Sequence, residues 1–378
     1  LKLHPIELFI YACIIRIIIS NAVKYREMSL AISLLGIFFI AYFFIDFLTG
    51  YHFMVLLEFK NAFLLILIFF ITQHIHFSKS YFVRLLKYYL MAASLISILG
   101  VIEYLFPSFM SSIFGFQSRS MNTPESIFFT RLAFLFWGTH LAANLIAPVF
   151  PIILLLKVEK DSIVKNNYIL TFLLMINLIA IYLSGNRISW LILTILLLTI
   201  IFQYRNFLVP YMKSYALLVT MIFVAYVYSQ PVEGRYISTF KALTGKIDTR
   251  YDSSGGARMA RVQIAINSIV EKPLGTGWGS QGWVHSDVLQ IAASVGIIPG
   301  IIFLIAPLFL LFRMYRAYLI APINDQTAFF VCCGLLIFII ISLYLNGNIM
   351  KVQSGAPLLV LWAIADGYLT CYKQVDSS

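Results

Sequence analysis

Long apolar runs separated by short polar breaks cover most of the chain. A helix needs roughly 20 apolar residues to cross the hydrocarbon core of a bilayer, and eleven runs approach that length. Apolar residues are continuous within each run, whereas the strands of outer-membrane barrels alternate apolar and polar residues. The pattern therefore predicts an all-α, polytopic membrane protein. Its predicted spans lie near residues 6–20, 28–47, 59–75, 85–105, 132–156, 168–183, 188–203, 210–229, 287–312, 327–345 and 356–372.

The composition narrows the class of protein further. Of 378 residues, 61% are hydrophobic and 11% are charged, whereas soluble domains are about 45–50% apolar and about 25% charged. A soluble enzyme of this size could not bury so many apolar residues, and a disordered chain would contain far fewer. The formal net charge of +11 is typical of basic cytoplasmic loops in a membrane protein. Nucleic acid is therefore not expected as a partner.

The basic residues predict which side of the membrane each loop faces, because Lys and Arg concentrate in short cytoplasmic loops. One set of alternate loops holds thirteen of them, and the opposite set holds six. This bias predicts that the one long hydrophilic interval, residues 230–286, faces outward from a single transmembrane domain spanning residues 1–378. The larger set is Lys24, Arg26, Lys79, Arg84, Lys87, Lys157, Lys160, Lys165, Arg205, Lys213, Arg313, Arg316 and Lys373, and the smaller is Lys2, Lys60, Arg119, Arg131, Arg187 and Lys351.

The outward loop contains a predicted short helix with two arginines. Arg258 and Arg261 are three residues apart, so they can point to the same side, and Ser253 and Ser254 offer capping hydroxyls. A helix N-terminus with two arginines can bind an anion through its free N–H groups and guanidinium forks. The alternative is an interfacial helix whose arginines contact lipid phosphates. The helix is predicted over residues 257–270, with an apolar face formed by Met259, Val262, Ile266 and Ile269 or Val270.

A glycine-rich turn and a histidine follow this helix. Residues 273–283 contain four glycines and two tryptophans. Glycines allow tight turns and close approach of the backbone to a ligand, and tryptophans suit the bilayer interface or stacking on a sugar ring. His285 begins the next run; a histidine there is usually structural, but beside an anion site it is a candidate for proton transfer. We interpret Asp287 as a solvated helix start, with orientation of the His285 ring as the alternative.

Segments spread over residues 130–305 resemble the O-antigen ligase and O-antigen polymerase superfamily. That family carries an arginine fifteen residues before a Pro-Leu-Gly-x-Gly turn, then His-Asn-x-x-Leu-Gln and a Gly-hydrophobic-x-Gly step into a helix. The counterparts here are Arg258 and residues 273–277, 285–290 and 296–300. Upstream, Leu183-Ser-Gly-Asn-Arg187 resembles a Ser-x-x-Arg segment at the outer tip of a helical hairpin. The segment from Arg131 through residues 138–144 to Pro151 resembles the family's Arg…Gly-x-Pro-Asn…Ala…Pro helix.

The sequence departs from the family pattern at a few positions. Ser286 stands where the family usually has Asn, Ser294 where an acidic residue is common, and Thr139-His140 where Pro-Asn is usual. The family often has about twelve spans, and a first helix upstream of Leu1 would account for the difference from eleven. The arginine and histidine positions are all retained.

The resemblance implies a metal-independent, inverting glycosyltransferase of the GT-C type in the bacterial inner (cytoplasmic) membrane, with its active site facing the periplasm. Its implied donor is a glycan on undecaprenyl diphosphate, and its acceptor is a sugar of a lipid-linked oligosaccharide or of lipid A-core oligosaccharide. Membrane lipids surround it, and no cofactor is implied. Arg187 and Arg258 would bind the diphosphate, with Arg261 and Arg131 as further contacts. His285 would act as the base that activates the acceptor hydroxyl.

Three functions remain open at this stage. A polymerase transfers the glycan to another lipid-linked repeat unit, and a ligase transfers it to lipid A-core oligosaccharide. We favour the polymerase, because the chain is rich in Ile, Phe, Tyr, Asn and Lys, a bias associated with AT-rich polysaccharide loci. The third function is a lipid-linked sugar transporter or flippase. Such proteins usually have paired halves and functional charges near mid-membrane, whereas no half-to-half similarity is visible here and the intramembrane charges are scattered, Asp46 among them.

Overall fold

The computed structural model describes residues 30–49, 59–71 (except 61, 65 and 69), 78–106, 109, 112, 145–159, 165–184, 253–278, 284, 286–345 and 352–376. Within these ranges the regular secondary structure is helical and no strand occurs. The all-α fold predicted from the apolar runs is therefore confirmed. The helices are α1 (Leu30–Thr49), α2 (Lys79–Leu105), α3 (Val149–Val158), α4 (Asn167–Ser184), α5 (Ser253–Glu271), α6 (Asp287–Val295), α7 (Ile297–Ile320), α8 (Ile323–Leu345) and α9 (Val352–Asp376).

Most of these helices coincide with predicted spans. α2, α7 and the Asp325–Tyr344 part of α8 are long and apolar enough to cross a membrane, and α1, α3, α4 and α9 contain shorter apolar stretches. The protein is thus a multi-pass membrane protein, as predicted. The predicted spans at 6–20, 188–203 and 210–229, and the larger part of that at 132–156, lie outside the described residues.

The prediction of a single span over residues 287–312 is wrong, because two helices meet there. α6 ends at Val295 and α7 begins at Ile297, with Gly296 between them at φ +114°. L side chains rarely adopt that backbone conformation, so a glycine allows the chain to change direction. One turn into α7, a Cβ on Gly300 would lie 2.6 Å from the Cβ of Ala292. A hydropathy pattern records length but not direction, which is why it merged these two closely packed helices.

The chain forms two compact units, of which the first comprises Leu1–Arg84 and Arg258–Ser378. In this unit α7 packs against α1, α6, α8 and α9, and α6 also contacts α1 and α8. Aromatic side chains fill its core, including Phe39, Phe303 and Trp362, each at most 1% exposed. The packing places α1, from the start of the chain, next to the helices that follow the long hydrophilic interval.

The second unit comprises Leu85–Ala257. A buried polar cluster joins α2 to α4 in this unit. The Asn177 side-chain amide donates to Ser94 Oγ at 3.0 Å, and Ser97 Oγ donates to Asn177 Oδ1 at 2.7 Å. Hydrogen bonds between polar side chains on neighbouring helices stabilise helix association in a membrane. The cluster therefore fixes the register of α4, the helix that leads to the Ser-x-x-Arg segment.

Candidate functional site

The arginine-bearing helix begins earlier than predicted. α5 starts at Ser253, four residues before the predicted start, so Ser253 and Ser254 lie in its first turn and do not precede it as caps. Arg258 lies about 7.5 Å along the helix axis from Ser253, at 1.5 Å per residue. The free N–H groups of a helix belong to its first four residues. Arg258 and Arg261 therefore follow the last of the free N–H groups by about half a turn and about one and a half turns, at 3.6 residues per turn.

One face of α5 packs against the segment that contains the predicted catalytic histidine. Ala265, Val284 and Ala293 form a buried cluster, and Val262, Ile269 and Leu289 pack around it. The predicted apolar face is right for Val262 and for Ile269, the first of two alternatives, of which Val270 is 76% exposed. It is wrong for Ile266, which is 40% exposed, and the side chain of Met259 lies outside the described residues. The inward face is therefore centred on Ala265, a small residue that brings the α5 backbone close to α6.

The backbone position of Arg258 lies on this same face. Val262, Ala265 and Ile269 follow Arg258 at intervals of four, seven and eleven residues, which is the spacing of one stripe along a helix. Because that stripe packs against Val284, the face of α5 that includes position 258 is directed toward the residue preceding His285.

The turn after α5 is bound to the end of α6 by its backbone. Thr276 N–H donates to the Ala293 carbonyl and Gly277 N–H to the Ser294 carbonyl, each at 2.9 Å. Gly275 and Gly277 have φ values of +98° and +97°. A Cβ on Gly275 would lie 2.6 Å from the Ser294 carbonyl oxygen. The close backbone approach that Gly275 allows is thus to the end of the protein's own α6.

Trp278 ends the described part of this turn and is only 2% exposed. Its ring meets that of Phe39 edge-on, with centroids 5.4 Å apart. The interpretation of this tryptophan as a bilayer-interface or sugar-stacking residue is therefore wrong, since it is a buried anchor of the turn. Trp283 lies outside the described residues.

The residues on both sides of His285 are hydrogen-bonded to α6. Val284 N–H donates to Gln290 Oε1 at 2.8 Å, and Leu289 N–H donates to the Oγ of Ser286, the N-cap of α6, at 3.4 Å. Asn and Ser are both favoured N-cap residues. The replacement of the family's usual Asn by Ser286 therefore preserves the cap.

Asp287 lies in the first turn of α6, as predicted, but is only 1% exposed. Its interpretation as a solvated helix start is therefore wrong. An acidic side chain interacts favourably with the positive N-terminal end of a helix dipole. Asp287 is thus a buried carboxyl group two residues from His285.

The predicted site residues differ in what the structure describes of them. His285, Arg187 and Arg131 lie outside the described residues, and Arg258 is described in its helical backbone only. Arg261 is described fully and its side chain is exposed. Packing of Ala265 on Val284 joins the helix that carries Arg258 to the segment that precedes α6. Within the described part of the chain, no group of three or more His, Cys, Asp or Glu side chains is placed to hold a metal ion.

Sequence reasoning missed three residues that shape this region. Gln290 was recognised as part of a motif but was given no role. Tyr42 donates its hydroxyl proton to the Leu274 carbonyl, and Asp46 accepts from Trp278 N–H. An ionisable residue within an apolar run is a sequence signal for a functional or hydrogen-bonded position, and Asp46 is such a residue. No sequence pattern pointed to its partner 232 residues later.

Comparison with known proteins supports the resemblance that the motifs indicated. Residues 170–305 match the family model for O-antigen ligase (Wzy_C). The match extends from α4 through α5, the glycine turn and α6 into α7, and it includes Arg187, Arg258 and His285. A search of curated proteins gives no match to this chain. Over residues 170–305 the chain is therefore similar to the membrane proteins of the O-antigen ligase and O-antigen polymerase superfamily.

Proposed function

We propose that the protein is a polysaccharide polymerase that transfers a glycan from undecaprenyl diphosphate to a sugar hydroxyl of a lipid-linked repeat unit. The observation that carries this proposal is the packing of α5 against Val284. That packing puts the stripe containing Arg258 next to the segment containing His285. This packing supports a site in which an anion-binding arginine and a base act together, as transfer from a diphosphate requires.

The reaction needs two kinds of assistance. The bond between the anomeric carbon and the diphosphate oxygen breaks, while the acceptor oxygen attacks the opposite face of that carbon and inverts it. His285 takes the proton of the acceptor hydroxyl. Arg258 and Arg187 neutralise the negative charge that develops on the departing diphosphate, since guanidinium groups bind phosphate oxygens in bidentate fashion. No metal ion is needed for these steps.

The remaining predicted residues have supporting roles in this proposal. Arg261 is exposed on α5, where it can contact the diphosphate from the solvent side, and Arg131 provides a further contact. Asp287 is buried two residues after His285. That position supports the orientation of the His285 ring by a carboxylate, an arrangement that fixes the tautomer of a catalytic imidazole.

We also propose that the protein lies in the bacterial inner membrane with this site facing the periplasm. Two contacts support the predicted loop pairing. Asp46 and Trp278, at the predicted outward side, are hydrogen-bonded at 2.6 Å. Lys79 and Asp325, at the predicted cytoplasmic side, form an ion pair at 3.2 Å.

A ligase is the second candidate, because the matching family model is described as O-antigen ligase. The ligase would use the same donor and the same residues but would transfer the glycan to lipid A-core oligosaccharide. A flippase or transporter is the least favoured function, because the matching family model is described as a ligase and not as a transporter.

Reconstitution with defined substrates separates these functions. The purified protein is incubated in EDTA with an undecaprenyl-diphosphate-linked repeat unit, alone or with lipid A-core oligosaccharide, and free undecaprenyl diphosphate and glycan products are measured. We expect longer lipid-linked glycans and release of undecaprenyl diphosphate without lipid A-core. Product only on lipid A-core would establish the ligase. No release with either acceptor would contradict the proposed transfer.

A further inference from the structure

One face of α1 contacts the turn that joins α5 to the His285 segment. Phe39, Tyr42 and Asp46 are spaced three and four residues apart, so they lie on the same side of the helix. Each of them contacts the turn. Phe39 packs on the ring of Trp278, Tyr42 donates a hydrogen bond to the Leu274 carbonyl, and Asp46 Oδ2 accepts from Trp278 N–H at 2.6 Å.

The Asp46 carboxylate lies directly over the turn backbone. A Cβ on Gly277 would be 2.8 Å from Asp46 Oδ1, so a side chain at this position would displace the carboxylate from its present place. Gly277 has a positive φ, and the N–H of the next residue, Trp278, donates to Asp46. The sequence thus combines an acid on α1 with a glycine and a buried tryptophan in the turn.

A carboxylate in an apolar helix is costly unless it is hydrogen-bonded. A hydrogen bond to an ionised acceptor is stronger than a neutral one, so the Trp278 N–H is a favourable partner. On its other side the turn is bound to α6 through Thr276 and Gly277. The turn is therefore held between α1 and α6.

We propose that Tyr42 and Asp46 are positioning residues that fix the turn and, through it, the placement of Arg258 relative to His285. This inference rests on the proposed function for its consequences in catalysis. The turn, residues 273–278, is the covalent link from α5 toward position 285. Release of the turn from α1 would let α5 move relative to α6 without altering any group that touches substrate.

Hydrogen–deuterium exchange of the purified protein tests the structural part without reference to activity. Asp46→Ala removes the acceptor, and we expect at least tenfold faster exchange of the amides at positions 276–278. Asp46→Asn retains a side-chain oxygen acceptor and should exchange within about threefold of the wild type. The control is Leu48→Ala, on the same helix and 82% exposed, which should change nothing. Unchanged exchange in Asp46→Ala would overturn the inference.

Steady-state kinetics test the catalytic part. We expect Asp46→Ala to lower kcat at least tenfold with donor Kd changed less than threefold, and Asp46→Asn to retain at least a third of wild-type kcat. The inference would be overturned if Asp46→Asn were as inactive as Asp46→Ala while its hydrogen–deuterium exchange matched the wild type. That result would place Asp46 among the groups that act on substrate. If the wild-type protein had no transferase activity, but Asp46→Ala still showed the faster exchange at positions 276–278, the result would count against the proposed function alone.

A milder variant keeps the inference testable if Asp46→Ala does not fold. Tyr42→Phe retains the ring and removes only the hydroxyl that donates to Leu274. We expect faster exchange near Gly275 and a two- to fivefold lower kcat. Wild-type exchange and wild-type kcat in Tyr42→Phe would overturn the role of this residue.

Discussion

The side-chain oxygen of Gln290 accepts a hydrogen bond from the backbone N–H of Val284 at 2.8 Å, and both residues are 3% exposed. The bond ties the residue before His285 to the first two turns of α6. It gives a physical reason for the spacing of the His…Leu-Gln segment, because a glutamine five residues after the histidine can reach back over the N-terminus of the helix. Gln290 therefore helps to fix Val284, the residue that precedes His285, against α6.

Replacement of Gln290 should weaken this part of the protein. Gln290→Ala leaves the buried Val284 N–H without its partner, which costs about 1–3 kcal/mol. We expect a lower unfolding temperature in detergent and shorter or fewer polymer bands on a gel. The control is Gln263→Ala, because the Gln263 side-chain amide donates to Asn267 Oδ1 at an exposed site. Equal effects of the two substitutions would contradict the role of Gln290.

The helices themselves were largely predictable from the sequence. Apolar runs located α1, α4, α8 and α9, because a helix that crosses a bilayer must be apolar over most of its length. The break at Gly296 was not predictable in this way, since residues on both sides of it are equally apolar. The inward face of α5 was misplaced by one residue, because the buried Ala265 is small and contributes little to a hydrophobic pattern.

The supporting contacts of the site were less predictable. The motif residues were recognised from their spacing, but the roles of Gln290 and Asp46 depend on partners that the spacing does not specify. Asp46 pairs with a backbone N–H, which carries no side-chain identity and leaves no trace in a sequence. Likewise, tryptophan is a residue type that is common at membrane surfaces. Only the packing of α1 against the turn shows that Trp278 is buried.

The glycine turn should tolerate no side chain at Gly275. Gly275→Ala places a Cβ against the backbone of Ser294 and Gly296 and forces an L residue into a left-handed conformation, which alone costs about 1–2 kcal/mol. We expect a clear loss of thermal stability. Gly36→Ala in α1 is the matched control, since its Cβ would make ordinary contacts at 3.6 Å or more with Ile66. A Gly275→Ala protein as stable as Gly36→Ala would refute the packing described here.

The orientation can be tested by cysteine labelling in intact cells. In a background without native cysteines, Ser254→Cys should react with a membrane-impermeant reagent, because α5 belongs to the predicted outward loop. Lys160→Cys, in a predicted cytoplasmic loop, should react only after the membrane is permeabilised. The reverse pattern would invert the topology and remove the periplasmic site.

The arginine at position 258 should not be replaceable by lysine. Arg258→Lys retains the positive charge but loses the planar, bidentate fork that matches phosphate oxygens. We expect at least a tenfold lower kcat/KM for the lipid-linked donor. Arg84→Lys, an exposed position on α2, is the matched control and should remain active. Full activity of Arg258→Lys would contradict the diphosphate role. Arg258 would then be a residue that contacts lipid phosphates or helps to set the membrane topology.

The proposed role of His285 as the base beside a diphosphate site can be measured in single-turnover transfer by His285→Ala. The rate is measured with saturating lipid-linked donor, together with donor Kd and protein expression, and His140→Ala serves as the histidine control. General base catalysis contributes about 10²–10⁴-fold, so the account predicts a rate loss of that order with donor Kd unchanged and His140→Ala active. A His285→Ala protein that transfers glycan at the wild-type rate would contradict it.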